Sequence, residues 1–233
     1  MHAHAAVVVQ PSGDGCAYST LRSDPPLLLR PTPGGLYLQG GAAGPLGGDQ
    51  LRFDVHVTAG ARLTIRSVAA TIVLPGHGPS CLDISVRVDD GAHLDWQPEP
   101  LVSVAGSRHR QRVDIEIAPS ATLRWCERLV LGRSGEPPGD LVSEIRAERC
   151  GTVVLHQGQR IGAPDERDTW RNAAVVGDGR VVATELVVGG TVTPTVRHDP
   201  DTGTRAARMA LASDVWLTQA VGTEPRAVDA LLA

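Results

Sequence analysis

The amino-acid sequence predicts a mostly β, layered fold, solenoid-like or a sandwich, and three observations lead there. The pattern V-x-V-x-x-G-A-x-L-x-hydrophobic occurs three times, with starts about 30 residues apart. Hydrophobic residues make up 42% of the chain and aromatics only 3%. The core must therefore be built from Val, Leu, Ile and Ala, which suits regular strands better than a large aromatic pocket. Residues 31 to 48 contain Pro31, Pro33, Gly34, Gly35, Gly40, Gly41, Gly44, Pro45, Gly47 and Gly48, too many breakers for a helix.

The chain starts Met1-His-Ala-His-Ala-Ala-Val-Val-Val, which lacks the basic region and long apolar stretch of a secretory signal. No apolar run approaches the ~20 residues of a membrane span, so a cytoplasmic, reduced protein is expected. His2 and His4 could chelate a metal together with the terminal amine, although such a pair is more often a frayed end. They are the weak metal candidates. Residues 31 to 48 read as turns around a short Leu36-Tyr37-Leu38 strand.

The repeats follow. Val55-His-Val57-Thr-Ala-Gly60-Ala61-Arg-Leu63-Thr-Ile65 is the first copy. Val86-Arg-Val88-Asp-Asp-Gly91-Ala92-His-Leu94-Asp-Trp96 and Ile115-Glu-Ile117-Ala-Pro-Ser120-Ala121-Thr-Leu123-Arg-Trp125 are the second and third. Apolar and polar residues alternate on both sides of a small-residue turn, so each copy is a strand, a turn and a strand with one buried face. A unit this small cannot bury its apolar face alone, and copies at a fixed period should stack on a shared core. Ala61, Ala92 and Ala121 should then be equivalent. Near the end, Thr223 can cap a helix, Pro225 suits its first turn, and Ala227, Val228, Leu231 and Leu232 form an apolar face. Asp165 to Ala174 is a second candidate helix. At 233 residues, a single domain over 1–233 is the default expectation.

Composition excludes several classes of function. All 22 basic residues are Arg, against 26 acidic ones, and the formal charge of -4 gives none of the basic field that nucleic acid or anionic lipid requires. Cys16, Cys81, Cys126 and Cys150 are scattered without a C-x-x-C pair, so isolated buried thiols are expected rather than a zinc site. There is no G-x-S-x-G elbow and no P-loop, and the glycines of residues 40 to 48 do not match the dinucleotide fingerprint. Gly106-Ser107-Arg108-His109 places a His near a Ser, but an exposed polar loop is the simpler reading. His56 and His93 lie on polar phases of the repeats, where exposure is expected, and Asp89-Asp90 beside Gly91 reads as turn chemistry. No enzymatic activity and no tightly bound cofactor are expected.

Several segments, taken together over nearly the whole chain, resemble the urease accessory protein UreD family, also called UreH. Leu46-Gly47-Gly48-Asp49 before the strand at Leu51 to Val57 is similar to a family G-G-D segment. Arg62 to Thr71 sits where the family has a T-T-Q-A-A-type stretch, with Val68 in place of the usual Gln. Leu94-Asp95-Trp96-Gln97-Pro98-Glu99 resembles an L-E-W-x-P-Q motif, followed here by Pro100 where a second Glu is usual. Leu131-Gly132-Arg133 with Gly135-Glu136 resembles an L-G-R and G-E pair at shortened spacing. The resemblance is that of a divergent, short member.

What it implies is a β-helix-like stack of strands with few helices, and a chaperone that docks on urease apoprotein and recruits UreF and UreG for nickel insertion. UreG supplies the GTPase step in that scheme, and an internal water-filled passage is proposed for nickel. Nickel would be bound only in transit, which suits sparse oxygen ligands, and a homo-oligomer is possible. Partner surfaces are then expected at Gly47, Gly48 and Asp49, at Trp96 to Glu99, and at Gly132 and Arg133, because a rigid scaffold presents its loops. Asp49, Glu99 and Arg133 are expected to be exposed and free to pair across an interface. Trp96 could equally fill the core beside Trp125. The competing reading is a jelly-roll or solenoid binding module, non-catalytic or carbohydrate-active, and for a sugar site aromatics are scarce.

Overall fold

A computed structural model describes residues 1–13, 15–162 and 169–232. Its strands are β1 (His2–Ser12), β2 (Gly15–Arg22), β3 (Leu27–Thr32), β4 (Gly35–Gly40), β5 (Gln50–Val57) and β6 (Arg62–Ser67). Then come β7 (Thr71–Val73), β8 (Ser80–Val88), β9 (His93–Trp96), β10 (Leu101–Ser103), β11 (Arg108–Ile117) and β12 (Thr122–Leu131). The last are β13 (Asp140–Arg149), β14 (Thr152–Ile161), β15 (Val181–Val188), β16 (Thr195–Asp199), β17 (Thr204–Ala212) and β18 (Val215–Gly222), before helix α1 (Pro225–Leu232).

The repeats build a solenoid-like stack. The first strands of the three copies, β5, β8 and β11, pair in parallel in one sheet. The second strands, β6, β9 and β12, pair in parallel in the other. The alternating pattern fixes the register, since a slip of one residue would turn every apolar side chain outward. Ala5, Phe53, Ile84, Val113 and Ile145 therefore form one inward row across five strands. At each turn the Ala N–H bonds a carbonyl three residues back: Ala61 to Thr58, Ala92 to Asp89 and Ala121 to Ala118. All three alanines are fully buried. Gly60 and Gly91 take positive φ of 73° and 66°, which favours glycine, whereas the third turn has Pro119-Ser120 and does without it. The Asp90 carboxylate accepts bonds from the Ser120 N–H and hydroxyl, and so staples the second turn to the third.

Both sheets are finished by antiparallel strands. The first runs β14-β13-β11-β8-β5-β1-β2 and the second β16-β17-β18-β15-β12-β9-β6-β4-β3. The parallel stack stops at β13, where Cys150 (φ 53°) and Gly151 (φ 75°) make a tight turn into β14. β7 and β10 continue the coils beyond corners at residues 68–70 and 97–100, and β10 joins the far end of β12.

Some expectations change. Residues 31 to 48 include β4 around Leu36–Leu38, paired with β3 in a hairpin. Of the candidate helix at Asp165 to Ala174, residues 165–168 lie outside the described residues, and the remainder is a single 3₁₀ turn, Thr169–Arg171, followed by turns. The helix near the end is present, with Val228 and Leu232 buried. Only Cys126 of the four cysteines is buried, while Cys16 and Cys150 are exposed, because both fall at hairpin ends rather than on inward phases. His2 and His4 do not lie on a frayed end. They belong to β1, held in parallel register against β5.

Candidate functional site

One inward layer of the interior is polar. On the first sheet Gln111, Ser143 and Gln159 stand side by side on β11, β13 and β14. Facing them on the second sheet, Glu127, Thr184 and Gln219 stand side by side on β12, β15 and β18. Glu127 accepts hydrogen bonds from the Gln111 amide and from the Ser143 hydroxyl, the latter at 3.0 and 2.9 Å from its two oxygens. Further along, Gln219 donates to Thr184 Oγ1 at 3.0 Å and to Gln157 Oε1 at 2.9 Å. Apolar residues bound the layer on both sides, Trp125, Val113 and Ile145 on one and Leu129, Leu131 and Leu141 on the other. Glu127, Ser143 and Thr184 are 7%, 3% and 2% exposed, and the layer becomes wetter toward Gln157 and Gln159 on the edge strand.

Burial dominates the chemistry here. It pushes the Glu127 carboxyl up to about 7, against the opposing pull of the hydrogen bonds from Ser143 and Gln111. Next to this layer, His109 Nδ1 lies 2.8 Å from Ser80 Oγ, and its Nε2 is buried without a partner among the described residues. Burial drives His109 down to about 4, so its imidazole is neutral at pH 7. The segment Gly106 to His109 is thus not the exposed loop expected. Ser107 and His109 are 1% and 3% exposed, and the Ser107 hydroxyl donates to the Val104 carbonyl rather than to His109. The polar layer was not anticipated from the sequence, although a signal for it is present there. Glu127 occupies the inward phase of Leu123-x-Trp125-x-Glu127-x-Leu129-x-Leu131, where an apolar residue is expected.

The segments singled out from sequence fall in separate places. Gly47 and Gly48 lie against the 76–77 turn, and a Cβ on Gly47 would come within 2.6 Å of the Gly76 backbone. Asp49 is not an exposed charge. It is 3% exposed, accepts the Leu46 N–H at 2.9 Å and pairs with the Met1 ammonium at 2.6 Å. Burial raises its carboxyl, but these two hydrogen bonds and the ammonium charge outweigh that and hold it below the usual carboxylate range.

Trp96 fills the core, 4% exposed and stacked on Trp125 with ring centroids 4.4 Å apart and planes 7° from parallel. In-register parallel strands put equivalent residues about 4.8 Å apart, so equivalent tryptophans must stack. Glu99 is exposed on the corner before β10. Gly132 is buried with φ 79°, and Arg133 is exposed, its guanidinium gripping Glu136 at 2.9 and 3.1 Å. Those bonds, with the Arg133 backbone N–H, hold the Glu136 carboxyl down at about 2. Arg180 ties the same loop together by donating to the carbonyls of Leu131, Gly132, Arg133 and Glu136, a role no sequence signal marked.

Several histidines on the outer face have partners among their neighbours. His4 Nε2 pairs with Asp54 at 2.7 Å and His56 Nε2 with Asp89 at 2.8 Å. His93 Nδ1 lies 2.8 Å from Thr122 Oγ1. His56 and His93 are half-buried rather than exposed. No group of three or more His, Cys, Asp or Glu able to hold a metal ion occurs among the described residues. Trp96, Trp125, Trp170 and Trp216 are all buried, so none presents a ring for a sugar to stack on.

Fold and site together define a solenoid-like β scaffold with a polar layer crossing its interior. A family model described as UreD urease accessory protein matches residues 1–233. The chain belongs to the UreD family of urease accessory proteins. Urease accessory protein UreD of Parafrankia sp. (strain EAN1pec) is 37% identical over 95% of this chain and 80% of its own length. Urease accessory protein UreD 3 of Streptomyces griseus subsp. griseus is 34% identical over 100% of this chain and 94% of its own. Urease accessory protein UreD of Streptomyces coelicolor is 35% identical over 96% and 91%.

Proposed function

We propose that this protein is a non-catalytic chaperone of urease maturation that binds urease apoprotein, recruits UreF and UreG, and assists nickel insertion in the cytoplasm. The observation that carries the reading is the family match over the whole chain. The interior supports its nickel part. Metal cargo in transit needs weak, sparse ligands, because a tight His or Cys cluster would hold it. The layer from Gln157 and Gln159 to Glu127 offers amide, hydroxyl and carboxyl oxygens of that kind, and Glu127 becomes a carboxylate near neutral pH. The candidate partner segments that still present an exposed charge are Glu99 and Arg133, whereas Gly47, Gly48, Asp49, Trp96 and Gly132 support the fold beneath them.

Purified chain is tested for capture of urease apoprotein, UreF and UreG, each alone and in combination. Stable capture of apoprotein or UreF is expected. Failure to bind any of the three, by a chain that is folded by circular dichroism, overturns the reading.

A further inference from the structure

An apolar row crosses the outer face of the second sheet in register: Ile72 on β7, Val102 on β10, Val130 on β12 and Val181 on β15. Helix α1 covers one end of it. Val228 and Leu232 pack with Val181, and Val130 and Leu231 border the same cluster. The other end is bare among the described residues, with Ile72 42% exposed and Val68, on the adjoining corner, 57% exposed. From β12 to β7 is two strand spacings, about 10 Å. That is the diameter of one helix and the usual distance between packed helix axes. The sheet has thus already taken one helix on this row and has room for a second alongside it.

We propose that this strip beside α1 docks an amphipathic helix of a protein partner in urease maturation, with a Lys or Arg on the helix flank set against Glu99. Charge argues for that occupant. Arg66 is paired with Asp95 at 2.7 Å and Arg128 with Asp229, and the exposed Glu99 also attracts Arg128, so these two cations meet three carboxylates and the border keeps one negative charge in excess. An acidic rim repels an anionic lipid surface and suits a cationic flank. Apolar anchors at i, i+3, i+4 and i+7 of a helix would meet Val68, Ile72 and Val102.

The inference rests on the chaperone reading, and the test separates the two. The full chain and the Val68→Asp plus Ile72→Asp variant are compared for capture of purified urease apoprotein, UreF and UreG. A photo-crosslinking residue replaces Ala70, or Val153 on β14 as a control. The variant is expected to keep the parent circular dichroism and melting and to bind at least tenfold more weakly. Crosslinks from position 70 should fall on helically spaced residues of one partner segment, with none from position 153. Should the Asp variant misfold, Val68→Ser with Ile72→Ser takes its place. Undiminished capture by a folded variant, crosslinks alternating every second residue as for an added strand, or crosslinks to a second copy of this chain each overturn the docking surface alone. If the wild-type chain captures none of the three proteins, the chaperone reading fails and the docking proposal falls with it.

Discussion

The Ser143 hydroxyl on one sheet lies 3.0 and 2.9 Å from the two carboxyl oxygens of Glu127 on the other. One hydroxyl proton cannot satisfy both oxygens of a fully charged carboxylate, and the Gln111 amide is the other donor to this carboxyl. A buried acid with so few donors holds its proton more tightly than water would allow, as its value of about 7 reflects.

This gives a pH prediction with a definite sign. Glu127 rises from 4.5 to about 7 on folding, so the stability linked to it is full below about pH 4.5 and lost as pH rises through 7. The loss is on the order of 3 kcal/mol. His109, lowered from 6.5 to about 4, acts oppositely and costs stability as pH falls through that range. Urea unfolding of wild type and Glu127→Gln from pH 5 to 8 isolates the first effect: the variant should gain on the wild type as pH rises. A constant difference across the range would contradict the assignment.

The Trp96 and Trp125 stack ties the second and third coils together. Trp125→Ala should cost about 3–5 kcal/mol, as large-to-small core changes do. Near-ultraviolet circular dichroism should lose the coupled indole signal. An unchanged melting temperature would mean that the rings do not pack in this way.

Gly47→Ala forces a Cβ to within 2.6 Å of the Gly76 backbone, which has no flexible end to give way. A loss of about 1–3 kcal/mol is expected. Gly15→Ala is the control, since a Cβ there meets nothing closer than 3.9 Å, and it should melt like the parent.

Charge reversal separates support from surface. Asp49→Lys buries an unmatched cation and should destabilise strongly, by about 3 kcal/mol or more. Glu99→Lys, on an exposed side chain, should melt as wild type does, Arg133→Glu should stay folded with a slightly lower melting temperature for the lost Glu136 pair, and both should weaken capture of UreF or urease apoprotein. Normal capture by both folded variants would place the interface elsewhere.

Much of the fold was legible in the sequence because strand alternation and the recurring Gly-Ala turn are local signals. Ala61, Ala92 and Ala121 share one turn hydrogen bond, as the repeat requires. The stacking of Trp96 on Trp125 follows from the same period. The site was less legible because burial is not local. Asp49 beside two glycines reads as an exposed turn, yet the 76–77 backbone closes over those glycines and the carboxylate is enclosed. Ser107 and His109 read as a polar loop, yet His109 begins the inward face of β11. Gln111, Glu127 and Ser143 lie far apart in sequence, and only the pairing of two sheets reveals them as one layer.

Urease produced with its other accessory proteins, with and without this chain, is compared for nickel content and activity. Nickel-loaded, active urease is predicted only when the chain is present, and Glu127→Ala within a folded chain should lower both. Equal nickel loading and activity in its absence would contradict the proposed role in urease maturation.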